Sequence, residues 1–150
     1  LGAALRIQAA VPATGCCVCR NWISTTPRLD YIQRRTRLRV VDNSELGRRA
    51  MEAGKPPRVM HVYGKKLKAA TGDMVMVAIL GQKRRGFIVG ARRPEGPLRP
   101  QFDSNNLVLL NDEGQPLGNR ILAPVPSFLR ANRNPKLDYT KLLAIATKFV

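Results

Sequence analysis

Thr71-Gly72-Asp73-Met74-Val75-Met76-Val77-Ala78-Ile79-Leu80-Gly81-Gln82-Lys83-Arg84-Arg85-Gly86-Phe87-Ile88-Val89 is the stretch on which the fold turns. Thr71-Gly72-Asp73 is turn chemistry, because Gly supplies a positive φ and Asp bonds nearby amides. Met74 to Leu80 is an apolar run of strand length, too short for an ordinary buried helix. Gly81 to Gly86 encloses Lys83, Arg84 and Arg85 between glycines and predicts a hairpin tip. Phe87-Ile88-Val89 is then the returning strand.

Outward from this hairpin the same grammar recurs. On the N-terminal side, Arg37-Leu38-Arg39-Val40 alternates charged and apolar residues as a half-buried strand does. Glu45 to Pro57 is a connection bearing Gly and Pro. Arg58-Val59-Met60-His61-Val62-Tyr63 is rich in strand formers. On the C-terminal side, Asn106 to Leu110 is another apolar strand, closed by the turn signal Asn111-Asp112-Glu113-Gly114. Five or so short strands with glycine turns predict a mainly β chain, a small closed five-stranded barrel that leaves no exposed edge. Pro126-Ser127-Phe128-Leu129-Arg130 begins a short helix. Asp138 caps a second from about Tyr139 to Lys148, whose Leu142, Leu143, Ile145, Ala146 and Phe149 form an apolar face for packing on the barrel.

The chain has 150 residues, the range of one domain. Its 26 Lys and Arg against 10 Asp and Glu give a formal net charge of +16, well above the roughly 2 to 8 that solubility asks of a small domain. An apolar content of 44% excludes a wholly disordered basic tail. No run approaches the roughly 18 apolar residues of a membrane-spanning helix. A polyanion is therefore the expected partner.

Residues 1–29 read differently from the rest. They hold Arg6, Arg20 and Arg28 and no acid, with frequent Ala, Ser and Thr. That composition predicts an organelle transit peptide or a disordered arm, with a single domain over 30–150. Without the leader, 23 basic and 10 acidic residues remain, so +13 belongs to the body. Cys16, Cys17 and Cys19 all fall in the leader, far from the single His61, and do not make the two spaced ligand pairs of a zinc site.

In the body, basic clusters flank most of the strand-like segments. Alternation places Arg37 and Arg39 outward and Leu38 and Val40 inward. Lys65-Lys66 with Lys68, Lys83-Arg84-Arg85, Arg92-Arg93, Arg99, Arg120, Arg130 and Arg133 follow, at strand ends and loop tips where they reach phosphates without disturbing a core. Aromatic residues make up only 5% of the chain, too few for stacking platforms along a single strand. The prediction is recognition of folded RNA by shape and phosphate contact. Catalysis has no support. His61 stands alone in a strand, Asp42, Asp73 and Asp103 each adjoin a turn, and no phosphate loop, dinucleotide fingerprint or metal motif occurs. No cofactor and no metal are expected.

Several segments carry a resemblance. Val40-Val41-Asp42-Asn43-Ser44 is similar to a V-x-D-N-S strand and turn, and Arg92-Arg93-Pro94-Glu95-Gly96 to an R-R-P-D-G loop. Arg58-Val59-Met60 and Thr71-Gly72-Asp73 are similar to the strand and turn between them. Phe102-Asp103-Ser104-Asn105-Asn106-Leu107-Val108-Leu109-Leu110-Asn111 is similar to F-D-x-N-x-x-V-L-L-N. Gln115-Pro116-Leu117-Gly118-Asn119-Arg120-Ile121 and Pro124-Val125 match Q-P-x-G-x-R-I-x-x-P-V in order. Over about 36 to 150 the chain resembles the universal large-subunit ribosomal protein family numbered fourteen, in its animal mitochondrial form.

The resemblance implies a five-stranded β-barrel with short C-terminal helices, a structural constituent of the mitochondrial large ribosomal subunit in the matrix. The implied partners are large-subunit rRNA, neighbouring large-subunit proteins, small-subunit rRNA across the subunit interface, and a ribosome-silencing factor. The alternative is a free basic barrel acting as an RNA-binding factor. The expected RNA-binding set is Arg37, Arg39, Asn43, Ser44, Arg48, Arg49, Arg58, Lys65, Lys66, Lys68, Lys83, Arg84, Arg85, Arg92, Arg93, Arg99, Arg120, Arg130 and Arg133. Two departures stand out. Residues 46–57 are an insertion carrying Arg48, Arg49 and Lys55, and the region from Leu80 to Gly86 is about a dozen residues shorter than the bacterial pattern. The inserted arginines are expected to compensate for the shortened basic ribbon.

Overall fold

Residues 31–64, 67–93, 100–131 and 139–150 are described by the structure, a computed structural model. The leader with its cysteines, Lys65, Lys66, Arg99, Arg133 and the Asp138 cap lie outside the described residues. Strands β1 (Arg39–Val40), β2 (Arg58–Val62), β3 (Met74–Ile79), β4 (Gln82–Gly90) and β5 (Asn106–Leu110) form one sheet in the order β1-β5-β4-β3-β2. The pairs are antiparallel except β1 with β5, which run parallel.

The sheet is not closed, which corrects the expected barrel. β1 and β2 are the two edges, and no ladder joins them. One isolated bridge, Arg37 to Arg58, brings the edges together. Around it the Leu38 amide donates to the Pro57 carbonyl, and the Val59 amide to the Thr36 carbonyl, both at 3.0 Å. Pairing stops there for two reasons. Pro56 and Pro57 lack the N–H that a longer ladder would need. The chain after Leu38 also turns to β5, with the Arg39 amide on the Asn105 carbonyl at 2.8 Å and the Val41 amide on the Leu107 carbonyl at 3.0 Å.

The β3–β4 hairpin is tighter than expected. Ile79 pairs with Gln82, so the turn is Leu80-Gly81, with φ of 45° and 80°. Two positive φ values give the mirror-image turn that suits the right-handed twist of the strands. Lys83, Arg84 and Arg85 therefore lie within β4 rather than at a tip.

The connection from Glu45 to Pro57 also differs from its sequence reading, because it begins with a helix, α1 (Glu45–Glu52). Ser44 is its N-cap and accepts from the Gly47 amide at 3.2 Å. Ala50 is fully buried among the sheet side chains, and Leu46 packs beside it. The inserted segment thus adds to the core.

Two apolar layers flank the sheet. The inner layer holds Val59, Val62, Val75, Val77, Ile79, Ile88, Leu107 and Leu109, with Leu38 and Ala50. The outer layer lies over β4 and β5, where Phe87, Val89, Val108 and Leu110 meet Ile121, Val125, Leu129, Tyr139 and Leu142. The last five of these come from the segment after β5 and from α2 (Phe128–Ala131) and α3 (Tyr139–Ile145). Phe87 and Tyr139 meet edge to face at 5.2 Å, an arrangement favoured by the ring quadrupoles. The chain end is tied in as a strip, with Val125 donating to Lys148 at 2.9 Å and Val150 donating to Val125 at 3.0 Å. The expected packing of Leu142, Leu143, Ile145, Ala146 and Phe149 against the sheet is observed.

Candidate nucleic-acid interface

Among the described residues the C-terminal elements pack over β4 and β5, with Met74 at the start of β3 beside them. On the β2–β3 half, direct pairing places Arg37 opposite Arg58, Arg58 opposite Ala78, and Ala78 opposite Lys83. Residues paired directly opposite share a face. These four therefore form one row across the sheet, with three cations in it. The next row is His61, Met76 and Arg85. A bulge between Val59 and His61 leaves both Met60 and His61 exposed while Val59 and Val62 stay buried. His61 is thus a surface residue, its Nδ1 3.4 Å from Arg34 Nη2.

Like charges directly opposite on a sheet repel and destabilise it. Among the described residues, the side chains of Arg37 and Arg58 make no hydrogen bond or ion pair, and neither do those of Arg39, Lys83 and Arg120. No carboxylate is among the residues that line the groove beside this row. Beside the row lies an open groove of about 520 Å³, lined by Arg37, Lys55, Pro56, Arg58, Ala78 and Leu80. Lys55 and Leu80 are absent from the expected RNA-binding set. No local signal marks them, since their approach to Arg37 depends on α1 and on strand register.

A second polar corner joins the Asp42-Asn43-Ser44 turn to the Gly118-Asn119-Arg120 segment. Asn43 donates its amide to the Arg120 carbonyl at 3.0 Å, and Leu122 to the Val41 carbonyl at 3.0 Å. The contact needs glycine at 118, because a Cβ there would lie 2.9 Å from the Asn43 nitrogen. Asn43 is exposed and accepts from Arg48 Nη2 at 2.7 Å. Ser44 is buried and caps α1, so its role is to position that corner. Asp42 is 7% exposed, and neither carboxylate oxygen makes a hydrogen bond of good geometry. Burial pushes its pKa up to about 6, opposed in part by the Ser44 side chain and the Leu109 backbone. Of the three turn aspartates, Asp73 behaves as expected, accepting the Ala70 amide at 2.8 Å.

The remaining expected residues divide between the surface and internal contacts. Arg49 pairs with Glu45 along α1. Arg84 is half-buried, with Nε unpartnered and Nη2 3.4 Å from Gln82 Oε1. Arg85 donates to the Asp112 carbonyl at 3.1 Å. Lys68 and Arg93 lie over the Tyr31 ring at 5.5 and 4.9 Å, and Arg130 over Phe149 at 3.7 Å. Arg92 is exposed, its backbone amide held by Asn105 Oδ1 at 2.8 Å. Among the described residues no group of His, Cys, Asp or Glu is placed to hold a metal ion. No helix among them is long and apolar enough to cross a membrane.

A sheet with one half covered by its own C-terminus and the other bare and basic can be compared with known proteins. The chain is similar to the large ribosomal subunit protein uL14m of Danio rerio, at 47% identity over 127 residues, 85% of this chain and 86% of that protein. The family described as ribosomal protein L14p/L23e matches residues 31–150. By that match the chain belongs to the ribosomal protein L14p/L23e family and is a structural ribosomal protein, not an enzyme.

Proposed function

We propose that the chain is a structural constituent of the mitochondrial large ribosomal subunit, in the matrix, and binds large-subunit rRNA with the bare half of its sheet. The observation that carries this reading is the row of Arg37, Arg58 and Lys83, two of them directly opposed, whose side chains have no ion pair among the described residues. Such a row is unfavourable in isolation and becomes favourable when phosphates neutralise it and release their counterions. Exposed Arg39, Arg92 and Arg120 extend the contact. Arg48 contributes by orienting Asn43, and this is how the inserted segment makes up for the shortened ribbon. Neighbouring large-subunit proteins, small-subunit rRNA across the subunit interface and a ribosome-silencing factor are the further partners. Residues 1–29 serve import and are removed, leaving 30–150 as the working domain.

Sedimentation tests the assignment. The tagged chain should travel with mitochondrial large subunits and stay with them through a high-salt wash. Release into the light fractions would favour a free RNA-binding factor. In binding assays with large-subunit rRNA, log Kd should rise steeply with log salt, about 0.7 to 0.9 for each phosphate neutralised. A salt-independent affinity would overturn the electrostatic reading.

A further inference from the structure

Leu80 is the feature that phosphate binding alone does not explain. It has φ of 45°, one of two non-glycine residues with positive φ among those described. An L-residue bearing a Cβ is strained there, and the first position of such a hairpin turn ordinarily takes Asn, Asp or Gly. Its side chain is 43% exposed, so packing in the core does not offset the strain. It instead lines the groove that Arg37, Lys55, Pro56, Arg58 and Ala78 also line, with Gly54 and Gly81.

We propose that this groove receives a single unstacked nucleotide of RNA, its phosphate held by Arg37, Arg58 and Lys55 and its base or ribose resting on Leu80 and Ala78. The occupant follows from the lining. Three cations without a carboxylate select an anion, whereas the apolar end offers nothing to an inorganic phosphate or to a continuous duplex backbone. A nucleotide has both parts on one small body. The volume, about 520 Å³, lies within the roughly 300 to 1,000 Å³ of small-ligand sites. Bases displaced from bulges and loops are also the parts of folded RNA that proteins reach individually. The inference rests on the rRNA-binding reading and refines it from shape recognition to capture of one displaced nucleotide.

The test uses the full chain and two RNA hairpins of one stem sequence, one fully paired and one with a single unpaired nucleotide. Affinities are measured by fluorescence anisotropy at one salt concentration. The bulged hairpin should bind about tenfold more tightly, the factor given by burying a few tens of Å² of apolar surface. Leu80→Asn keeps the turn, because Asn tolerates positive φ, and should bring the ratio close to one. It should leave the affinity for the paired hairpin within about twofold. Arg58→Gln should weaken binding of both hairpins. Equal wild-type affinities would overturn the inference while leaving rRNA binding intact. A preference that survives Leu80→Asn would remove it from this groove. Failure to bind either RNA would count against the rRNA-binding reading itself.

Discussion

Strand β4 crosses two environments. Its first four residues, Gln82 to Arg85, are exposed or half-exposed, and its last five, Gly86 to Gly90, are buried. The buried end runs under Ile121, Val125, Leu129, Tyr139 and Leu142, whereas the exposed end lies beside Ala78 and Met76, outside that apolar layer. One sheet therefore has an outer face whose two halves meet different partners. The covered half is completed by apolar side chains during folding. The bare half is finished in charge, and under the proposed function a polyanion is what neutralises it.

The largest expected effect lies in the covered half. Phe87→Ala should cost about 3 to 5 kcal/mol, because it opens a cavity beneath Tyr139 and removes their ring contact. Urea unfolding of the purified chain measures this, and a cost near zero would mean that the C-terminal cover is not packed. Asp42 adds a second probe of the same half, since it is a buried carboxyl whose Val41 neighbour belongs to the outer layer. Its folded pKa of about 6 exceeds the ordinary 3.8. The folded state thus holds the proton more tightly than the unfolded chain does. This carboxyl favours folding most below about pH 4, and that advantage is lost as the pH rises through about 6. Asp42→Asn should therefore be more stable than the parent at pH 7.5, by on the order of 2 to 3 kcal/mol, and should match it near pH 4. Unfolding curves of both proteins across that range check the sign.

The effects on stability shrink toward the bare half. Leu80→Asn should raise stability by about 0.5 to 1 kcal/mol by relieving the positive φ, seen as a higher thermal midpoint. Arg37→Gln with Arg58→Gln should change stability least, within about 0.5 kcal/mol or slightly upward as the opposed charges are removed. The same pair should weaken rRNA binding and lower the salt slope by roughly 1.5. If this double variant unfolds the chain instead, the division between a structural half and a binding half fails.

Much of this was legible in the residues. The strands at 58–62, 74–79 and 106–110 were visible because each is a short apolar or alternating run between turn signals. The C-terminal apolar face was visible at helical spacing. Helix α1 was missed because Gly47 and four charged residues within eight conceal its periodicity. The available signal was Ser44 as a cap with Leu46 and Ala50 four apart. The hairpin tip was misplaced because its flanking glycines at 81 and 86 drew attention from Leu80, a residue with no turn propensity. Closure of the barrel was expected from the short strands with glycine turns, the need to remove exposed edges and the family resemblance, whereas Pro56 and Pro57 end the β1–β2 pairing after one bridge.

The sequence by itself determined that this chain is mainly β, strongly basic over residues 30–150, and a member of a ribosomal family. Those properties reside in local pattern, total charge and ordered short segments. Only the tertiary structure decided which cations stand together. Arg37, Arg58 and Lys83 are far apart in sequence, and hydrogen-bond register brings them into one row. It also decided that Ser44 faces inward as a cap while Asn43 faces out, and that Leu80 sits strained at the rim of a basic groove. The physical reason is that a strand's composition specifies which face is buried, while its partners along the sheet are chosen by long-range pairing that no local window contains.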